Sequence, residues 1–176
     1  MLDVHILIHP ATPRDWVTQC LDSVYEAADR AGFPVDVHQL PAVIGHIGQG
    51  RAQGYALGVQ PYVTCVDDDD YVLPQAFAQM RDALEAGASA VCTPEQTLQN
   101  GYIRPGHTRH HLIAYRRGDI IDHTQWPCCG DVAQMNTIGP DAVDLAEPAY
   151  VHRLYMDSKA RVMRRIRVAE LELARG

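Results

Sequence analysis

Short apolar runs alternate with segments of helical periodicity over the first half of the chain. Residues 3–9 alternate apolar and polar positions and are rich in Val, Ile and Leu, which predicts a β-strand. Residues 15–31 place apolar side chains three and four positions apart, which predicts a helix that ends before Gly32. Further strands are predicted at 34–40, 62–66, 89–93 and 112–116, and further helices at 51–59, 75–86 and 158–174. This alternation indicates an α/β fold with three layers and a mainly parallel central sheet.

Two segments between these elements are predicted as loops. Residues 45–50 contain three glycines and open the short helix at 51–59. Residues 95–111 carry Gly, Pro, Asn and Thr, and are predicted as a loop on the substrate side.

Four consecutive carboxylates, Asp67 to Asp70, follow the apolar strand at 62–66. Coulomb repulsion makes this arrangement unfavourable unless water or a cation compensates it. The acids are predicted at the carboxyl end of a central strand, where open α/β sheets bind ligands. Oxygen ligands suit Mg²⁺ or Mn²⁺, which complete their coordination with substrate phosphates. The alternative is a solvated acidic turn.

Composition predicts one globular domain without a membrane anchor. The chain has 176 residues, of which 47% are hydrophobic, enough to bury a sizeable core. No apolar run approaches the ~20 residues of a membrane span, and the N-terminus lacks the features of a signal peptide. Five cysteines, two of them adjacent at Cys128 and Cys129, fit no ordinary disulfide framework. We therefore expect a cytoplasmic protein.

Charge is distributed unevenly along the chain. The net charge of −7 argues against nucleic-acid binding by the whole surface. Residues 157–176 contain six Lys/Arg and three Asp/Glu, so that this segment carries +3 and the first 156 residues carry −10. The basic segment is either the solvated face of a helix or a surface for an acidic partner.

Three motifs follow one another at regular separation in the first half of the chain. The first is the apolar strand end and turn Leu7–Thr12, followed within a helix by Leu21–Val24. The second is Gly50–Gly54, with the sequence Gly-Arg-Ala-Gln-Gly, and the third is the acidic segment Val66–Tyr71. In this order they resemble family 2-type glycosyltransferases of the GT-A fold, whose metal-binding DXD motif corresponds to the third. The resemblance implies a single-domain, Rossmann-like, three-layer α/β/α architecture.

The same resemblance implies roles at a nucleotide-sugar site. Asp69 would be the principal ligand of Mn²⁺ or Mg²⁺, and Asp67 would contact the metal or the ribose, with Asp68 also on the donor side. The ion would act as a Lewis acid that neutralises the leaving diphosphate as the glycosidic bond breaks. The nucleobase and ribose would be bound by Pro10, Ala11, Thr12 and Arg51. The alternative for Arg51 is an ordinary surface cation on a helix.

The chain departs from the family's pattern at the base pocket. The family places Asp-Asp-x-Ser after the second strand, where an acid meets the nucleobase. Here residues 40–45 read Leu-Pro-Ala-Val-Ile-Gly, without an acid. A UDP-type donor is therefore only the default expectation.

An inverting glycosyltransferase needs a general base near the acceptor hydroxyl. Residues 126–132, Trp-Pro-Cys-Cys-Gly-Asp-Val, resemble the family's segment that supplies it, which makes Asp131 the candidate catalytic residue. A helix N-cap would explain Asp131 equally well. Asp122 and Asp141 are the reserve candidates.

The segment 150–158 resembles the family's Tyr-Arg-x-His-x-x-Ser region, whose histidine can complete the metal shell. In this chain the nearest histidine is His152, shifted from the family's position, and a packed histidine is the alternative. Arg153 and Lys159 are predicted to neutralise the donor diphosphate. The spacing of His107, His110 and His111 matches no metal signature.

Together these features predict a metal-dependent glycosyltransferase of 1–176 with three parts: a nucleotide-sugar-binding half at 1–93, an acceptor-side half at 94–156 and a C-terminal helix at 157–176. The acceptor is undefined; the short chain favours a macromolecular acceptor or a homo-oligomer. The alternatives are an inactive nucleotide-sugar-binding protein and a sugar transferase that acts on modified nucleic acid.

Overall fold

The computed structural model describes residues 1–107, 109–126, 130–139 and 141–154. Its strands are β1 (Leu2–Ile8), β2 (Val35–Pro41), β3 (Tyr62–Asp67), β4 (Tyr71–Val72), β5 (Ala90–Cys92), β6 (Glu95–Gln99), β7 (Tyr102–Pro105), β8 (Ile113–Arg116), β9 (Val143–Asp144) and β10 (Tyr150–Arg153). Its helices are α1 (Arg14–Arg30), α2 (Ile47–Tyr55), α3 (Arg81–Glu85) and α4 (Gly130–Met135), with short 3₁₀ helices at Ala78–Met80, Arg117–Asp119 and His123–Gln125.

The larger sheet has the strand order β2-β1-β3-β8-β5-β9. Strand β1 pairs in parallel with both β2 and β3, and β5 pairs in parallel with β9, whereas β8 runs antiparallel to its two neighbours. The predicted mainly parallel sheet is therefore confirmed. Because the chain leaves β1 for β2 on one side and returns to β3 on the other, the strand order reverses at β1. Ligands bind at such a switch point, beyond the carboxyl ends of the strands.

Helices cover both faces of β1. Val4 and Ile6 belong to the main hydrophobic core together with Cys20 and Val24 of α1. The other face is occupied by His5, whose ring lies 4.5 Å from that of Tyr55 in α2. The alternation of side chains along a strand places these two sets on opposite faces. Helices α1 and α2 therefore lie on opposite faces of the sheet, which makes the three layers of the α/β/α arrangement.

Helix α2 begins at Ile47, four residues before its predicted start, so its glycines are helical. The Nδ1 atom of His46 caps the helix by accepting a hydrogen bond from the Gln49 amide, at 3.1 Å. A Cβ atom at Gly54 would lie 2.5 Å from Cδ2 of His5, and one at Gly48 would lie 2.0 Å from the carbonyl oxygen of Trp126. The glycines therefore allow close packing of α2, an effect that outweighs their low helix propensity.

The prediction of a loop at 95–111 was wrong for residues 95–105, which form the hairpin β6–β7. The hairpin turns at Asn100 and Gly101, which have φ angles of 51° and 79°. Asn-Gly is the strongest short hairpin signal, because both residues tolerate positive φ. These strands form a second sheet, with the order β4-β10-β6-β7.

The helix predicted at 75–86 is shorter in the structure, where it consists of the 3₁₀ turn Ala78–Met80 and α3. The helix predicted at 158–174 lies outside the described residues. Within the part of the chain that the structure describes, no helix has the length and apolar character needed to cross a membrane.

Candidate functional site

The acidic turn, defined as residues 67–70, lies at the switch point beside the end of β1. Asp67 is paired with Leu7 across the parallel strands. The next carboxylate, Asp68, accepts a hydrogen bond from the backbone amide of His9 at 2.6 Å. The segment after β1 and the acidic turn therefore meet as the sequence predicts.

Asp67 lies between the guanidinium of Arg51 and the imidazole of His111. Its side chain is 32% exposed, and Oδ1 lies 3.5 Å from Nη2 of Arg51, while Oδ2 lies 3.9 Å from Nε2 of His111. Burial favours the neutral carboxyl, yet the charge and hydrogen bond of Arg51 oppose it, and the pKa of Asp67 lies below its usual value. Arg51 is itself 7% exposed, so it is not the solvated surface cation of the alternative interpretation.

Asp68 has a different environment, because its carboxylate points into the protein. Burial, the largest effect, raises the pKa of Asp68 to about 6, against the opposing hydrogen bond from His9. Two of the predicted nucleobase residues, Ala11 and Thr12 on the segment after β1, are also buried. The buried side chains of Asp68, Ala11 and Thr12 support the acidic turn from within the protein.

Asp70 anchors the acidic turn to β10. Its carboxylate accepts hydrogen bonds from Oη of Tyr150 at 2.8 Å and from the amide of Arg153 at 2.7 Å, and it lies 3.0 Å from Nδ1 of His152. Burial raises the pKa of Asp70, and the hydrogen bond with His152 works in the opposite direction. Strand β4 follows the turn directly, so Asp70 does not cap a helix.

Arg153 lies beneath the acidic turn and is 8% exposed. Its guanidinium donates to the carbonyl oxygen of Asp69 and to Oε1 of Gln19, and it stacks over the ring of Trp16. These partners hold the turn in place. Asp69, the predicted principal metal ligand, is 9% exposed. The second predicted diphosphate cation, Lys159, lies outside the described residues.

A cluster of imidazoles surrounds a buried carboxylate next to the turn. Glu95, at the start of β6, lies 2.5 Å from Nδ1 of His111 and 3.3 Å from Nδ1 of His110, and it accepts a hydrogen bond from the amide of His107. Burial works to raise the pKa of Glu95, but the hydrogen bond with His111 outweighs it and lowers that pKa to about 2. The sequence analysis missed Glu95 because no spacing rule pairs it with histidines 12 to 16 residues away.

Within the described residues, two groups of three potential metal ligands have ligand atoms that lie within 4.8 Å of one another. They are Asp70, His111 and His152 in one group, and Glu95, His110 and His111 in the other. Of the predicted ligands, His152 belongs to the first group, and Asp67 and Asp69 belong to neither. The predicted ligand set of Asp67, Asp69 and His152 therefore overlaps with these groups only at His152.

A surface pocket of about 420 Å³ adjoins the other side of the switch point. It is lined by Ile8, Pro10, Gln39, Leu40, Pro41 and Ala42. Of the three predicted nucleobase residues, Pro10 lines this pocket. The lining has no carboxylate, which matches the missing acid after the second predicted strand.

The candidate general base, Asp131, lies in the first turn of α4, and its side chain is outside the described part of the structure. The two reserve acids have structural partners. Asp122 accepts hydrogen bonds from the amide and hydroxyl of Thr124, and Asp141 pairs with Arg116 at 3.1 Å.

No protein-family model and no curated protein sequence matches the chain. Among solved structures it is similar to the glycosyltransferase TarS of S. aureus, residues 1–349, in complex with UDP-GlcNAc. The TM-score is 0.68 at 13% identity, over 91% of this chain and 60% of that one. The TarS complex with UDP gives 0.67 at 12% identity, over 94% and 64%. The chain thus spans less than two thirds of the TarS fragment.

A second similar structure is 4-diphosphocytidyl-2C-methyl-D-erythritol synthase from Anaerococcus prevotii. Its TM-score is 0.58 at 10% identity, over 94% of this chain and 97% of that one. At these identities the likeness concerns the fold alone. The chain has the GT-A-like fold that the motifs predicted.

Proposed function

We propose that this protein is a glycosyltransferase that takes a sugar from a nucleotide-diphosphate donor. The observation that carries the proposal is the placement of the acidic turn, with Asp67 partly exposed beside Arg51, at the switch point of a GT-A-like fold. TarS, which has a similar fold, binds UDP-GlcNAc and UDP in its solved complexes. A UDP-type donor is accordingly our first candidate.

The pocket next to Pro10 has the size and character for a nucleobase. A volume of about 420 Å³ with mainly apolar walls suits a planar ring, and Gln39 offers an amide for hydrogen bonds. Arg51 lies across the switch point, where its charge would attract the donor's diphosphate. The base would then lie at the end of β1 and the phosphates at the acidic turn.

A divalent ion fits the polar groups beside this turn. The donor set would combine carboxylate oxygen from the acidic turn with imidazole nitrogen from His152, a mixture that suits Mn²⁺ better than Mg²⁺. When bound, the ion would supply positive charge to the leaving diphosphate. Asp70 and Arg153 hold the loop that carries these groups, and so preserve the site's shape.

For the acceptor side we propose Asp131 as the general base of an inverting reaction. The two reserve acids are weaker candidates, because Asp122 caps a 3₁₀ helix and Asp141 pairs with Arg116. Asp131 lies in the first turn of α4, in the segment that resembles the family's source of the base. Proton removal from the acceptor hydroxyl would make the oxygen a better nucleophile.

A thermal-shift screen of nucleotide sugars, with Mn²⁺, Mg²⁺ or EDTA, tests the proposal. A ligand of the folded protein raises the melting temperature by mass action. We expect UDP or a UDP-sugar to stabilise the protein more with Mn²⁺ than with EDTA. Ala42→Arg should abolish that shift by filling the base pocket, and Ala86→Arg, on an exposed turn after α3, should preserve it.

Product analysis then separates transfer from binding alone. Release of UDP from a donor that binds, dependent on an added acceptor, supports the transferase. Metal-dependent binding without release would instead identify a nucleotide-sugar-binding protein. The absence of any nucleotide-dependent shift in the screen would contradict both.

A further inference from the structure

His111 occupies a fixed position between the acidic turn and the second sheet. The residue lies just before β8, and its ring stacks on Tyr150 and His152 of β10, with centroids 5.1 and 4.2 Å away and interplanar angles of 6° and 25°. Its side chain is 10% exposed. Two ring contacts with neighbours on one strand restrict the plane of the imidazole.

Glu95 determines which nitrogen of His111 carries the proton. Its side chain is 1% exposed, and Oε2 lies 2.5 Å from Nδ1 of His111. Because a carboxylate can only accept, Nδ1 donates the hydrogen bond, so that the neutral imidazole carries its lone pair on Nε2. That atom points toward the acidic turn, 3.9 Å from Oδ2 of Asp67.

A buried carboxylate that holds one nitrogen of an imidazole while the other is bare is the arrangement found around protein metal ions. We propose that His111, through Nε2, is a metal ligand together with His152 and Asp70, and that Glu95 is the positioning residue for its ring. The ligand atoms of these three residues already lie within 4.8 Å of one another. Two ligand atoms on one ion are at most about 4.2 Å apart, so a small inward movement suffices.

This ligand set defines the class of metal. Two imidazoles with a carboxylate favour a borderline transition ion such as Mn²⁺, Co²⁺ or Zn²⁺, whereas Mg²⁺ prefers oxygen alone. The assignment rests on the proposed function only in that the ion would serve the same donor diphosphate. Metal binding itself needs no nucleotide.

The alternative group of Glu95, His110 and His111 shares His111 with the proposed ligand set. Both carboxylates already accept hydrogen bonds, Glu95 from His111 and the His107 amide and Asp70 from Tyr150 and the Arg153 amide. The side chain of His110 is 42% exposed, whereas those of His111 and His152 are 10% and 25% exposed, which favours the two less exposed rings as ligands. The two groups make opposite predictions for substitutions at His110 and His152.

The test is a Co²⁺ titration of the full chain without nucleotide, followed by visible absorption of the bound ion. We expect Glu95→Gln to weaken Co²⁺ binding about 10–100-fold, the usual effect of losing such a partner, and His111→Gln to weaken it at least as much. His110→Gln is the matched control and should leave the affinity unchanged. Unchanged affinity in His111→Gln, or equal losses in His110→Gln and His111→Gln, would overturn the assignment.

A measurement on the unaltered protein covers the case in which a variant fails to fold. Pulsed electron paramagnetic resonance of Mn²⁺ bound to ¹⁵N-histidine-labelled protein should show coupling to histidine nitrogen. A spectrum without such coupling contradicts the assignment. If Co²⁺ binds as expected but no nucleotide sugar binds, the proposed function fails while the ligand assignment stands. Conversely, Mn²⁺-dependent UDP binding that His111→Gln leaves intact refutes only the ligand assignment.

Discussion

The guanidinium of Arg153 lies 4.3 Å from the centre of the Trp16 ring, which joins strand β10 to helix α1 directly beneath the acidic turn. The same group donates to the Asp69 carbonyl and to Gln19. Arginine combines stacking with several directed hydrogen bonds, which lysine cannot reproduce. Arg153 is thereby a support of the turn, whatever it contributes to the charge at the diphosphate.

Arg153→Met should therefore destabilise the protein. The change leaves the Asp69 carbonyl without its charged donor, a loss of about 1.5–3 kcal/mol. Urea unfolding would measure the change in the free energy of unfolding. Arg14→Met, at the exposed start of α1, is the control and should change that free energy by about 0.5 kcal/mol or less. Equal effects of the two substitutions would show that the contacts beneath the turn contribute nothing.

Asp67→Asn should weaken Mn²⁺-dependent UDP binding while the fold persists. The substitution keeps the shape of a side chain that is 32% exposed and removes only its charge. We expect a loss of about tenfold or more, which corresponds to about 1.4 kcal/mol or more. Calorimetric titration with and without Mn²⁺ measures this loss. Asp82→Asn, exposed on α3, should bind normally, and an unaffected Asp67→Asn variant would remove this acid from the site.

Asp131→Asn should lower turnover about 10²–10⁴-fold with little change in donor affinity, if Asp131 is the general base. Steady-state rates with the identified donor, together with donor titrations, check both parts. Asp122→Asn and Asp141→Asn serve as controls, because those acids have structural partners. Near-normal turnover in Asp131→Asn would contradict the role of general base and leave the alternative, a residue that caps a helix.

His5 should make the protein less stable in acid. Burial, and next the charge of Arg51, lower the pKa of His5 from 6.5 to about 3. The unfolded chain therefore binds a proton at His5 below pH 6.5 while the folded protein does not. The free energy of unfolding should fall as pH drops from 6.5 towards 3, by up to about 1.4 kcal/mol per pH unit from this group.

His5→Leu removes that contribution and fills a similar volume. In the native protein neither ring nitrogen of His5 has a hydrogen-bond partner among the described residues, so the substitution leaves no polar group newly unpaired. Urea unfolding of both proteins between pH 4 and pH 7 should give a shallower dependence in the variant. Parallel curves would mean that His5 titrates in the folded protein as it does in the unfolded chain.

The sequence was sufficient to predict the features that depend on local pattern. Strands β1, β2 and β3 and helix α1 appear within one or two residues of their predicted bounds, because their apolar positions repeat with clear periods. The acidic turn lies at the sheet edge for the same reason. Its position follows from the strand that precedes it.

The features that depend on distant partners could not be predicted. The role of Asp70 rests on Tyr150, His152 and Arg153, which are 80 or more residues away in the chain. The burial of Glu95 depends on a hairpin whose Asn100–Gly101 turn was present in the sequence but was not recognised as one. The early start of α2 likewise depends on what its glycines contact, which no local propensity reveals.

The hydrogen bonds between Asp70 and residues 150–153 also have a consequence for biosynthesis. The acidic turn leaves the ribosome about 80 residues before the strand that anchors it. At about 5–20 residues per second, that interval is roughly 4–16 s. During it the nascent chain carries four crowded carboxylates without their arginine and tyrosine donors, so the site can be completed only after residue 153 has left the ribosome.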